Sequence, residues 1–412
     1  MSSVQKIKGF ADMFSPDSDA FTFMEGIGRE VFGSFGYTEL RTPILERTEL
    51  FKRSIGDETD VVQKEMYTFD DRKGRSLTMR PEATAGVMRA YIEANVHAQE
   101  QVAKLFTFGP MFRYERPQKG RMRQFHQINC ECLGPNEPYA DAEVILMLMT
   151  FLTRIGLTDL SLEINSLGCR ECRPKYNEAL KQFFAKLDTS ALCEDCRRRM
   201  ETNPLRVLDC KVPACKELTK DAPTILEHNC PECADHHAKV LAVLDRAGIK
   251  YIENVRLVRG LDYYNRTTFE VVSGSIGAQA SVAGGGRYDG LIKQLGGPDV
   301  PGVGFACGME RLALMLGERS AAQPDFFIAV LDENGLEVAL MLAQALREAG
   351  KVGELAFAAK SMKAQMRQAS RKNARKVLIL GGDELANNTV VVKDMASGEQ
   401  ISVPMAEIVE HI

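Results

Sequence analysis

The sequence predicts an α+β chain in which a large N-terminal domain is followed by a small α/β domain. Two observations carry this reading. Strand-like runs at 104–114 and 125–133 flank a charged loop at 115–122, the pattern of an antiparallel pair whose loop can close over a ligand. Beyond 324 the pattern becomes strand (326–331), helix (337–349), basic helix and strand (377–380), an alternation expected of a separate α/β unit of about 90 residues. The length of 412 residues suits two or three domains.

The elements follow in order. Over 20–35, Phe23, Met24, Ile27, Val31 and Phe35 recur at helical spacing, and Gly36 stops the helix. Pro81 is expected to open a second helix to about 93, with Val87, Met88, Tyr91 and Ile92 on its apolar side. A third helix, 141–155, is apolar enough to be buried. Residues 168–237 change character: most of the cysteines lie here, with polar runs such as Arg197-Arg198-Arg199. Strand character resumes at 267–272. Glycines then cluster from Gly284 to Gly297, and a helix follows Gly308 with Leu312, Leu314, Met315 and Leu316. Residues 317–324 read as a linker, and no internal repeat or low-complexity tract interrupts the chain.

Composition narrows the class. Apolar residues make up 45% and charged residues 26%, a globular balance that excludes a disordered or collagenous chain. A net charge of −4 argues against a wholesale basic nucleic-acid coat, while local basic patches stay open. Apolar runs fall well short of the roughly 20 residues of a membrane span, and the N-terminal stretch has no signal-peptide core. A cytoplasmic protein is the expectation. In that compartment eleven cysteines are thiols, metal ligands or catalytic groups rather than structural disulfides.

The strand pair is the most informative segment. Residues of one parity share a strand face. Arg113 and Glu115 share one on the first strand, and Arg121, Arg123, Phe125, Gln127, Asn129 and Glu131 share parity across the loop and second strand, so that one face offers both sets. Arginines, an aromatic plate, an amide and a carboxylate suit a phosphate, a flat base and an ammonium group. A solvated face with ordinary salt bridges is the alternative. Arg113, Arg259, Arg287 and Arg311 stand in settings where a guanidinium could grip an anion bidentately, although each taken singly is better read as a surface or structural arginine. The phosphate-loop pattern G-x-x-x-x-G-K-[ST] is absent, so a nucleotide would need another architecture.

Three C-x-x-C pairs (Cys169 and Cys172, Cys193 and Cys196, Cys230 and Cys233) enclose Cys210 and Cys215. Eight thiols in short polar loops match structural zinc, in one or two four-cysteine sites. Free thiols and a redox pair are the alternatives. Cys130, Cys132 and Cys307 fit the core instead. Residues 360–376 hold seven basic and no acidic residues, with Lys360, Lys363, Arg367 and Arg371 on one helical stripe, either a phosphate-backbone contact or a solvated face.

Several segments resemble the class II aminoacyl-tRNA synthetases. GYTELRTPILE (36–46) is similar to their motif 1, Phe112-Arg113-Tyr114-Glu115 to motif 2, and Gly302-Val303-Gly304-Phe305 through Gly308-Met309-Glu310-Arg311 to motif 3. LVRGLDYY (257–264) and AGGGRYDGL (283–291) resemble the two signature peptides of the histidyl-tRNA synthetase family. The likeness spans nearly the whole chain. It implies an antiparallel-sheet catalytic domain over 1–320 with a cysteine-rich insertion at about 168–240, an anticodon-binding α/β domain over 325–412, and a homodimer. The implied reaction joins L-histidine and ATP, with Mg²⁺, into histidyl-adenylate and pyrophosphate, then transfers histidine to the 3′ end of tRNA(His).

The resemblance also assigns roles. Arg113 meets the α-phosphate, Arg311 the γ-phosphate, and Arg121 the bent triphosphate; Phe125 stacks on adenine beside Glu115. Glu82 and Thr84 meet the α-amino group and its surroundings, with Gln127 similarly placed. Glu131 and Tyr264 read the imidazole, and Tyr263 and Tyr288 line the same region. Arg259 reaches the α-phosphate and the carboxylate, as the catalytic residue with Arg113. Lys363, Arg367 and Arg371, on the basic stripe rather than in a family motif, are the candidate tRNA contacts. Two departures stand out. Ala83 replaces a frequent glycine, and many relatives with the insertion lack its cysteines, so the zinc reading rests on spacing alone. A non-catalytic regulatory subunit of ATP phosphoribosyltransferase is the competing reading; the intact arginines and the C-terminal domain count against it.

Overall fold

The computed structural model describes residues 4–56, 59–118, 120–274, 281–317 and 323–412. The chain divides into two compact units, Met1–Arg319 and Ser320–Ile412. Most of the linker expected at 317–324 lies outside the described residues.

The first unit is organised by an eight-stranded sheet. Its strand order is Thr38–Glu39, Ala103–Phe112, Gln124–Leu133, Gly302–Gly308, Ser281–Arg287, Asn265–Val272, Ser161–Ser166, Tyr251–Glu253. Neighbours run antiparallel except at the two edges, where short strands pair in parallel. Alternation assigns the faces. Ile128, Cys130 and Cys132 point with Val303, Phe305 and Cys307 into a core completed by the helices Asp17–Ser34, Pro138–Arg154 and Pro231–Arg246. Phe32, Leu148 and Phe151 are fully buried there, each contributing about 1.5–3 kcal/mol by leaving water. The opposite parity, Gln127, Asn129 and Glu131 with Gly304 and Gly308, faces a cavity.

Two boundaries differ from expectation. The first long strand ends at Phe112, so Arg113 lies just beyond it rather than on it. Pro81 does not open the second helix, which runs Thr84–Glu93. The carbonyl of Pro81 instead accepts from Arg113 Nε at 2.9 Å. Glu82 takes the capping task, its carboxylate accepting the N–H groups of Thr84 at 2.6 Å and Ala85 at 2.9 Å.

The cysteine-rich segment is a helical lobe with its own small core, in which Tyr176, Leu180, Phe184 and Val207 pack around cysteines. Its connection back to the sheet includes the helix Pro231–Arg246. Arg287 is wholly structural: fully buried, it pairs with buried Asp141, which also accepts from His236 Nε2 at 3.1 Å.

The second unit carries a five-stranded sheet, Gly353–Leu355, Phe326–Val330, Lys376–Leu380, Thr389–Asp394, Gln400–Pro404, parallel over the first three and antiparallel over the rest. The helices Leu336–Glu348 and Met362–Arg371 contribute to its core. Lys360 precedes the second of these and is not on its stripe. Lys363, Arg367 and Arg371 are exposed. Gln365 faces inward, its Oε1 accepting from Val330 N at 2.8 Å.

Candidate active site

The sheet's open face, the loop after Phe112 and the segment around Arg259 enclose a cavity of about 520 Å³. Glu82, Thr84, Arg113, Glu115, Arg121, Phe125, Gln127, Glu131, Arg259, Tyr263, Tyr264, Tyr288 and Arg311 all line it. These thirteen residues come from six separate stretches of chain.

One end is basic. Arg113 lies over the Phe125 ring, 5.3 Å from its centroid, and Arg121 pairs with Glu115 at 2.9 Å. Arg311 reaches across from the helix Met309–Leu316, donating from Nε to the Gly120 carbonyl at 3.4 Å and from Nη1 to the Ser281 carbonyl. Burial lowers its pKa, and the nearby charge of Arg121 lowers it further, against the pull of Glu115 and Glu270. Arg259 contacts Glu270 at 3.5 Å and the face of Tyr264 at 5.4 Å.

The other end is small, polar and enclosed. Buried Glu131 accepts from Thr84 Oγ1 at 2.7 Å and from the Tyr288 hydroxyl. Burial pushes its carboxyl up to about 8. Glu82 is likewise raised by burial, against the pull of its two backbone N–H donors. The rings of Tyr263 and Tyr264 stand 4.6 Å apart, and Tyr263 meets Tyr288 edge-on. Gln127 Oε1 and Asn129 Oδ1 are buried with no hydrogen-bond partner among the described residues, so this pocket offers acceptors to an incoming donor. The glycine strands make it possible: a Cβ at Gly304 would collide with the Glu131 carboxylate.

Other lining residues were not singled out from the sequence. Glu270 lies on the strand Asn265–Val272, and Glu310, next to Arg311, accepts from His126 N and Nδ1 at 2.9 Å. Asp209 and Lys211 reach the cavity from the insertion, on either side of Cys210. Nothing in a polar loop among cysteines signals that approach.

The eight insertion cysteines fall into two groups, Cys169, Cys172, Cys230 and Cys233, and Cys193, Cys196, Cys210 and Cys215. Sulfur pairs stand at 3.6 Å (Cys169–Cys172), 3.9 Å (Cys169–Cys230) and 3.8 Å (Cys193–Cys210). A tetrahedron with Zn–S bonds of about 2.3 Å has edges of about 3.8 Å. Backbone N–H groups point at sulfur, as from Cys230 to Cys172 at 3.1 Å and from Cys193 to Cys215 at 3.3 Å. Burial opposes ionisation of Cys169, yet N–H donors from Glu171 and Cys172 bring it down to about 7.

Comparison with known proteins gives the family. The family model for histidyl-tRNA synthetase matches residues 9–312, and one for an anticodon-binding domain matches 325–412. The chain belongs to the histidyl-tRNA synthetase family. It is 74% identical over 408 residues to a histidine–tRNA ligase of Oleidesulfovibrio alaskensis, covering 98% of each chain. It is 71% identical over 403 residues to one of Nitratidesulfovibrio vulgaris, covering 98% of this chain and 97% of the relative. The solved histidyl-tRNA synthetase of S. aureus superposes with a TM-score of 0.83 at 36% identity, covering 99% of both chains. Membership makes this a class II aminoacyl-tRNA synthetase, and the regulatory-subunit alternative finds no support in these full-length relatives.

Proposed function

We propose that the cavity is where this histidine–tRNA ligase makes histidyl-adenylate. The observation that carries the proposal is that Arg113, Arg259 and Arg311 share one cavity with the enclosed Glu131 pocket. A histidine carboxylate oxygen attacks the α-phosphorus of ATP, the bond to the β-phosphate oxygen breaks, and pyrophosphate leaves with the electron pair. Two anions must approach, and charge spreads over the phosphoryl oxygens. Fixed guanidinium groups offset that charge without reorganising during the reaction.

In this reading Arg113 and Arg259 hold the α-phosphate, Arg259 also the amino-acid carboxylate, Arg311 the γ-phosphate and Arg121 the fold of the triphosphate. Mg²⁺ enters with ATP. Phe125 supplies the plate for adenine, with Glu115 beside it. Glu82, Thr84 and Gln127 take the α-amino group, while Glu131 and Tyr264, backed by Tyr263 and Tyr288, take the imidazole. Buried polar groups left unpaired by an apolar competitor make the selection strong. The 3′-terminal adenosine of tRNA(His) then attacks the acyl carbon with a ribose hydroxyl, and AMP leaves.

Lys363, Arg367 and Arg371 contact the tRNA backbone, being exposed and free of ion pairs among the described residues. Each cysteine group holds one Zn²⁺, supported by the sulfur spacing. The family supports a homodimer acting in the cytoplasm; among the described residues no helix is long and apolar enough to cross a membrane.

ATP–pyrophosphate exchange with each of the twenty amino acids tests the proposal. Exchange with histidine alone is the expected result. No exchange from folded protein overturns it.

A further inference from the structure

We infer that the cysteine-rich insertion positions Arg259 for adenylate formation, through two clamps made by Arg256 and Arg206. The inference rests on the role given to Arg259 above. The segment 254–264 that carries Arg259 runs between two strands without regular structure of its own. Its guanidinium meets Glu270 at 3.5 Å and the side chain of Tyr264, but its buried Nε has no hydrogen-bond partner among the described residues, and none of these contacts fixes the backbone of the segment. The backbone that carries it therefore has to be held from outside.

The insertion holds it on both sides. Three residues upstream, Arg256 donates from Nη1 to the Thr219 carbonyl at 2.6 Å, and from Nη2 to Thr219 Oγ1 at 2.7 Å and the Leu208 carbonyl at 3.4 Å. Thr219 is fully buried and donates in turn to the Cys215 carbonyl at 2.8 Å. Downstream, Arg206 Nη2 donates to the Gly260 carbonyl at 2.7 Å and to Asp262 Oδ1 at 3.0 Å, and Asn203 Nδ2 reaches the same oxygen at 3.2 Å. Charge-assisted bonds of this kind are the stronger ones available to a loop. Asn203, Arg206 and Leu208 all lie between Cys196 and Cys210, and Thr219 bonds back to Cys215, so both clamps join the segment to the part of the lobe that carries the inner cysteine group. Arg206 and Arg256 are positioning residues: they act through Arg259 and line no part of the chemistry themselves.

The test is a pre-steady-state burst of adenylate formation in the full chain at saturating ATP and histidine. Arg206→Ala and Arg256→Ala should keep the burst amplitude, one measure of how many sites are intact. They should slow the burst rate by about 10²-fold, the cost of a small misplacement of a reacting group. Arg206→Lys, which keeps a donor for the Gly260 carbonyl, should recover much of the rate. A wild-type rate in both alanine variants overturns the inference. So does reduced amplitude at an unchanged rate, or a joint fall that Arg206→Lys leaves unrescued, since each is simple structural damage. If Arg206→Ala does not fold, the isosteric Asp262→Asn is read by the same criteria. Arg259→Ala is run alongside. A wild-type burst there defeats the role of Arg259 itself, an outcome distinct from failure of the clamps.

Discussion

The guanidinium of Arg259 lies against the Cα of Gly284, where a Cβ would stand 2.6 Å from Nη2 and 2.8 Å from Cζ. The clash falls on the far end of a flexible side chain, so the fold can absorb a methyl group while the guanidinium cannot stay where it is. Gly284→Ala should therefore slow ATP–pyrophosphate exchange by about 10²-fold and leave the thermal unfolding midpoint close to wild type. Wild-type exchange would show that Arg259 works equally well from elsewhere.

Glu131 gives a pH signature. Burial raises its carboxyl to about 8 in the folded protein, from an ordinary value of 4.5. The folded state then holds a proton that the unfolded chain has released. This contribution to stability is fully present below pH 4.5, declines as pH rises, and is lost above about 8. Glu131→Gln removes it. Urea unfolding from pH 5 to 9 should show the wild type losing stability relative to the variant, with a slope of up to about 1.4 kcal/mol per pH unit. A difference independent of pH would contradict it.

The cysteine groups predict a stoichiometry. Elemental analysis of protein purified without chelators should find about two zinc ions per chain, one per closed tetrahedral site. Cys169→Ser and Cys193→Ser should each lose one ion and keep the other, because the two groups share no ligand. Folded, metal-free wild-type protein would remove zinc from the account.

The basic stripe on the second unit separates tRNA binding from chemistry. Replacing Lys363, Arg367 and Arg371 with alanine should raise KM for tRNA and flatten its salt dependence by about two to three units of slope. Amino-acid activation, read by exchange without tRNA, should stay at the wild-type rate. An unchanged KM for tRNA would assign the stripe to solvent.

The strand faces were legible because a half-buried strand alternates. Gln127, Asn129 and Glu131 share the cavity, while Ile128, Cys130 and Cys132 fill the core. Local pattern failed where a side chain served a distant partner. The Pro81 carbonyl is engaged by Arg113, so a good helix-opening residue opens no helix. Arg287 looked like an anion grip and is committed to Asp141. Asp209 and Lys211 are set by how the insertion folds back, which no short-range spacing encodes. The grouping of the cysteines was equally hidden: the first C-x-x-C pair joins the last, across the whole insertion.

That nesting has a consequence for how the lobe is tethered. Cys169 and Cys233 belong to one group although the entire insertion separates them in the chain, so the point of departure and the point of return are held together. An ion bound there would be a clasp on a closed loop. Its binding would favour the folded lobe, the one state in which the ends of this long loop meet to form the site. With the clasp shut, loosening the lobe's interior leaves its two stems in place; with it open, the stems are free to part.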